Sequence, residues 1–142
     1  MFNPTRDQAR RFFVEAWDKE RRGLEFTPLE RLAAGIVLLH PEYHGLLESG
    51  EAALAREWTP EAGQTNPFLH LSLHLAVEEQ LTIDQPPGIG ALFASLVLSR
   101  ADRHAALHEL LECLGETVWQ AQRNAAAPDA AAYLDCVRRR LD

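Results

Sequence analysis

The strongest constraint on the fold is the stretch NPFLHLSLHLAVEEQLTIDQPPG, residues 66–88. Asn66 can cap a helix, and Pro67 suits the first helical position because the amide hydrogen that proline lacks would have no partner there. Pro86 and Pro87 cannot lie inside a helix, so they end it. The pattern predicts one largely apolar helix from Pro67 to about Ile83, which other segments must cover.

Those other segments are also predicted to be helical. Asn3-Pro4 repeats the cap, and Thr27-Pro28-Leu29-Glu30 has the sequence of a capping box. Apolar residues then recur with helical spacing along the first two segments: Ala9, Phe12, Phe13, Ala16 and Trp17, then Leu29, Leu32, Ala33, Ile36 and Val37. No segment alternates with a period of two for long enough to form a strand.

The remaining helices are set by their breaks. A short helix is expected from Pro41 to about Ser49, and a helical turn with Trp58 as an anchor is expected in the less regular segment 50–65. Ser99-Arg100-Ala101-Asp102 resembles a capping box before a helix from about Arg100 to Arg123, and Asp129 begins the last helix. Together these predict a single all-α domain over residues 1–142, a compact bundle of about six to seven helices.

Charge excludes some partners. With 21 acidic and 14 basic residues the net charge is −7, which disfavours nucleic acids and anionic membranes. The short basic runs, Arg10-Arg11, Arg21-Arg22 and Arg138-Arg139-Arg140, are interpreted as solvated helix flanks. The N-terminus has no apolar signal region, and no apolar run is long enough to span a membrane.

The two cysteines, Cys113 and Cys136, are too few and too isolated for a disulfide scaffold or a four-thiolate zinc site. A reducing cytoplasmic setting is the simplest expectation for such a chain.

The histidines are distributed unusually. All six form H-x-x-x-H pairs, at 40 and 44, 70 and 74, and 104 and 108, whereas random placement would give roughly a quarter of one such pair. Residues four apart share a helix face and can share a cation. The last two pairs are each followed by a carboxylate one turn later, Glu78 and Glu112.

Two facing helices of this kind would offer His70, His74, Glu78, His104, His108 and Glu112 as ligands. That set suits zinc, iron or another divalent transition metal. The alternative is a polar seam in which the histidines are only hydrogen-bonded, and a buried Glu78 would then need an arginine or a proton. For His40 and His44 the structural role is favoured, since Pro41 breaks the helix that would align them.

Four segments together resemble a known family. MFNPTRDQARRFF, HPEYH, NPFLHLSLHLAVEEQLTIDQPPGI and ECLGE are similar to the bacterial domain-of-unknown-function family 1841 along almost the whole chain. The resemblance implies a small proteobacterial protein of cytosolic origin and carries over no activity and no catalytic residue.

Function is therefore expected to be one of two kinds. The first is a non-catalytic interaction or regulatory protein, with a homodimer suggested by the apolar surface around Gly88–Leu98. The second is a metal-binding bundle, which with an open coordination position would be a metal-dependent hydrolase. The sequence does not decide whether the protein is an enzyme, and it identifies no protein partner.

Overall fold

A computed structural model of the chain describes residues 6–58 and 66–141. The predicted cap at Asn3-Pro4 and the turn expected within residues 59–65 lie outside these ranges. The described residues form eight α-helices and no strand. The helices are α1 (Arg6–Arg22), α2 (Pro28–Leu38), α3 (His44–Glu48), α4 (Glu51–Ala55), α5 (Pro67–Ile83), α6 (Ile89–Arg100), α7 (Arg103–Arg123) and α8 (Ala130–Leu141).

The all-α class is thus confirmed. The helices slightly outnumber the predicted six to seven because α3 and α4 are five residues each, and the sequence pattern does not separate helices of little more than one turn. A 3-10 turn, Pro41–Tyr43, precedes α3.

Helix α5 has the predicted bounds. The Asn66 carboxamide oxygen accepts hydrogen bonds from the amides of Phe68 and Leu69, at 3.0 and 3.3 Å. These are two of the amides at a helix start that have no partner within the helix. At the other end Asp84 has a positive φ of 51°, and the chain turns before the two prolines.

The chain divides into two compact units, Met1–Leu75 (unit 1) and Ala76–Asp142 (unit 2), and the division falls inside α5. A single folding domain over both units stays a prediction.

Unit 1 has a core formed by α1 to α4 and the first half of α5. Its buried apolar side chains are Phe13, Ala16, Trp17, Ala33, Ile36, Val37, Leu47, Ala53, Phe68, Leu71 and Leu75. The capping box at Thr27 and Glu30 is present as predicted, with both reciprocal hydrogen bonds. Trp58 packs against this core, its ring 5.8 Å from that of Phe68, which confirms its role as an anchor.

Arg10 departs from the prediction of a solvated flank. Its side chain is buried, with 3% of its surface exposed. Its guanidinium donates to the carbonyl oxygens of Ala53, Leu54 and Arg56 and lies 5.1 Å from the centre of the Trp58 ring. Those carbonyls belong to the end of α4, where a helix leaves its last acceptors without internal partners. Arg10 therefore fixes α4 to α1.

Unit 2 is built from the second half of α5 with α6, α7 and α8. Its buried apolar side chains are Val77, Ile89, Phe93, Leu96, Ala106, Leu107, Leu110, Leu111, Cys113, Leu114, Ala121, Tyr133 and Val137. The capping box predicted at Ser99 is wrong. Helix α6 continues to Arg100, and Asp102 caps α7 by accepting hydrogen bonds from the amides of His104 and Ala105. The reason is Ala101, whose left-handed backbone (φ 54°) separates the two helices.

The two cysteines were not expected from the sequence to pair with each other. Cys113 on α7 and Cys136 on α8 form a disulfide within unit 2. They are 23 residues apart on different helices, so no local sequence pattern indicates their pairing.

Within the described ranges, none of the helices combines the length and the apolar character that crossing a membrane would require.

Candidate metal centre

Three histidines of unit 1 meet where α2 ends and α5 begins. His40 is the second of the two residues between α2 and the turn that starts at Pro41, and its amide donates to the carbonyl of Val37. Pro41 ends the helical path there, because the residue before a proline is displaced from helical geometry. His70 and His74 lie one turn apart on α5. The prediction that these two share one helix face is confirmed by their ring contact.

The three imidazole rings surround a common point. Their centres are 5.0 Å apart between His40 and His70, 4.6 Å between His40 and His74, and 4.8 Å between His70 and His74. This is a nearly equilateral triangle. One nitrogen from each ring can be chosen so that all lie within 4.8 Å of one another.

A backbone carbonyl fixes the orientation of the His40 ring. Its Nδ1 lies 2.8 Å from the carbonyl oxygen of Ile36, which can only accept, so Nδ1 carries the proton and donates. In the neutral ring Nε2 then presents its lone pair, and it lies 3.2 Å from Nε2 of His70. Without an ion, the Nε2–H of His70 donates to His40 across this distance.

The centre is shielded from solvent. His40 and His74 are 2% and 1% exposed, and His70 is half-buried. The Tyr43 ring lies parallel to the His40 ring, with centres 5.5 Å apart. Burial, with a smaller contribution from Glu42, raises the pKa of the Tyr43 hydroxyl. Without an ion nearby, the Tyr43 hydroxyl is therefore neutral at physiological pH.

His44 has the structural role that was predicted for it. Its Nε2 lies 2.9 Å from the carbonyl oxygen of Val37, and its ring stacks on Trp17 with centres 4.2 Å apart. For His40, the other member of that pair, the structural role stays a prediction, and its ring contacts those of His70 and His74. Residue spacing within one helix pairs His40 with His44. It cannot identify His70, which is 30 residues away in the sequence. The sequence signal for a histidine cluster was the excess of H-x-x-x-H pairs in the whole chain.

Glu78 lies in unit 2, on the second half of α5. Its carboxylate forms a two-point ion pair with Arg103 of α7, with distances of 3.0 and 3.1 Å. Only 14% of the Glu78 side chain is exposed. This arginine is one of the partners that a buried Glu78 was expected to need, and it balances the charge without a metal ion.

The second histidine pair lies in unit 2, on α7. The rings of His104 and His108 are 4.2 Å apart, so these two side chains share a helix face as predicted. Glu112 is exposed and forms an ion pair of 2.7 Å with Arg140 of α8. The ligand roles predicted for His104, His108, Glu78 and Glu112 stay predictions.

The chemistry of the unit 1 cluster follows from its donor atoms. His40, His70 and His74 offer neutral imidazole nitrogens and no carboxylate, a set that suits zinc, copper, iron or nickel and not magnesium or calcium. The hydrogen bond from Nδ1 of His40 to Ile36 is the kind of contact that orients a metal-binding histidine.

Comparison with known proteins identifies a family but no activity. A family model described as "Domain of unknown function (DUF1841)" matches residues 5–139. No curated protein and no solved structure matches the chain. The match covers almost the whole chain and agrees with the resemblance of its four segments, and the protein belongs to this domain-of-unknown-function family.

Proposed function

We propose that this protein binds a divalent transition metal ion, with zinc as the leading candidate, through His40, His70 and His74. The observation that carries the proposal is the distance of 3.2 Å between the Nε2 atoms of His40 and His70. With zinc–nitrogen bonds of roughly 2.0–2.1 Å, two ligands of a tetrahedral site are about 3.3 Å apart. An ion can therefore bind between these two rings with little movement of either, once the proton on Nε2 of His70 moves to Nδ1 of the same ring.

The surroundings of the cluster support the same conclusion. His40 is held by the Ile36 carbonyl in the tautomer that leaves Nε2 available to an ion. His40 and His74 are also buried in a part of unit 1 where preorganised rings would lose little freedom on binding.

A zinc titration tests the proposal. The protein is purified without a histidine tag, stripped with a chelator and titrated by calorimetry. We expect one zinc ion per chain in the wild type, and binding at least about 100-fold weaker, or about 2.7 kcal/mol, in His40→Ala and in His74→Ala. His44→Ala is the matched control, because its ring contacts Val37 and Trp17 outside the cluster. No binding by the wild type, or equal affinity in all four proteins, contradicts the proposal.

The histidines of α7 require a separate experiment. The sequence predicts His104 and His108 as further ligands, and Glu78 and Glu112 as ligands or bases. His108→Ala in the same titration tests that prediction. A hydrolase would further require a position held by water, and zinc-dependent ester hydrolysis lost in His74→Ala would be the supporting result.

The second candidate function is self-association through unit 2. Two large apolar side chains of this unit, Ile83 and Leu98, are 65% and 84% exposed. Solution mass measurement should give a dimer that Leu98→Asp converts to a monomer. A wild-type protein that is monomeric at all concentrations contradicts this candidate.

The cellular setting is proposed from the sequence alone. The resemblance supports a bacterial origin, and the net charge of −7 supports a protein that does not bind nucleic acid. The same resemblance supports a cytoplasmic location. Disulfides are less usual in the cytoplasm, so the redox behaviour of the unit 2 disulfide bears on this proposal.

A further inference from the structure

The two cysteine residues of the unit 2 disulfide differ in burial. Cys113, on α7, is completely buried, with 0% of its surface exposed. Cys136, on α8, is only half-buried. Because thiol–disulfide exchange needs access to one particular sulfur, this difference determines where an incoming thiolate can attack.

A cavity leads to the exposed side of this bond. It has a volume of about 680 Å³ and lies between α7, α8 and the connection that joins them. Its lining includes Cys136, Gln120, Asn124 and Ala132. The last three are exposed, so solvent enters the cavity. The volume is within the range of roughly 300–1,000 Å³ that is usual for small-molecule sites.

The charges of the cavity do not select one type of thiol. Two acidic residues, Glu116 and Asp129, and two basic residues, Arg139 and Arg140, contribute to its lining. Small thiols of either charge are therefore suitable reactants.

We propose that Cys136 is a site of reversible modification by small-molecule thiols, which enter this cavity and attack the Cys113–Cys136 disulfide. The thiolate sulfur forms a bond to Sγ of Cys136, and the bond between Cys136 and Cys113 breaks. Cys113 leaves as a thiolate and takes a proton from water. A second thiol can then displace the first from Cys136, which gives two cysteine thiols and one small-molecule disulfide.

Mapping the first product tests the proposal directly. The folded, oxidised wild type is incubated with glutathione, quenched with acid at early times and digested for mass spectrometry. We expect glutathione on Cys136, with a rate that increases with pH as more of the thiol becomes thiolate. An adduct on Cys113, or no adduct at any time, overturns the proposal.

A pair of variants tests the route through the cavity. Ala132 lines it one turn before Cys136, whereas Ala131 is also exposed on α8 but is not part of the lining. We expect Ala132→Phe to lose its disulfide to glutathione at least about fivefold more slowly than Ala131→Phe. Circular dichroism checks that both variants are folded, and equal rates in the two folded variants overturn the route. The mapping on the wild type does not depend on either variant.

Discussion

Replacement of Arg10 by methionine is expected to destabilise unit 1 by about 2–4 kcal/mol. Methionine keeps most of the length of the side chain but removes its donors. The carbonyls of Ala53, Leu54 and Arg56 then lose contacts of 3.4, 3.1 and 2.7 Å. Hydrogen bonds to a charged group contribute about 1.5–3 kcal/mol each, and the cation over Trp58 adds about 0.5–1 kcal/mol.

The total is smaller than the sum of these contributions for two reasons. Burial of the guanidinium has a cost that methionine does not have, and this burial also lowers the pKa of Arg10. The carbonyls at the end of α4 can, in addition, recover some hydrogen bonds from water once the side chain is gone.

Arg11→Met is the matched control for Arg10→Met. Arg11 is the next residue of the same helix, but its ion pair with Glu51 is 3.5 Å long and exposed, so its loss should cost less than about 0.5 kcal/mol. Urea unfolding, followed by circular dichroism and tryptophan fluorescence, measures both free energies. If the two variants differ by less than about 0.5 kcal/mol, the reasoning about Arg10 is refuted.

Two further side chains, Glu30 and Tyr133, give predictions of their own. Glu30 accepts from Lys19 and Thr27, which lowers its pKa below the ordinary 4.5. The stability that the Glu30 carboxylate contributes to the fold is therefore complete above pH 4.5. It is lost as the pH falls through the lowered pKa. Glu30→Gln should cost about 1–2 kcal/mol at pH 7, and this difference should vanish in urea titrations at acidic pH. Tyr133→Phe removes the 2.8 Å bond from the buried hydroxyl to Gln80 and should cost about 1 kcal/mol by thermal unfolding; an unchanged stability contradicts the bond.

The sequence was sufficient wherever structure depends on neighbouring residues. Asn66 and the two prolines define α5, and Thr27 with Glu30 begins α2, because caps and prolines act within a few residues of their own position. The boundary between α6 and α7 was harder to predict. It depends on the left-handed backbone of Ala101, which the residue type does not indicate.

The sequence was insufficient wherever a residue finds its partner in another helix. Arg10 in an arginine pair looks solvated, but the carbonyl oxygens at the end of α4 accept hydrogen bonds from it. The spacing pairs His40 with its neighbour His44, but its ring also contacts the rings of His70 and His74 on α5. Cys113 and Cys136 meet only when α8 packs on α7. Such pairings depend on the tertiary packing of helices, which no periodic pattern within one helix encodes.

Zinc-edge anomalous diffraction from crystals grown with zinc is the most direct test of the proposed metal centre. We predict an anomalous peak at bonding distance, roughly 2.0–2.1 Å, from one imidazole nitrogen of each of His40, His70 and His74. The account is contradicted if zinc peaks occur only at other positions and the Nε2 atoms of His40 and His70 still share a hydrogen bond.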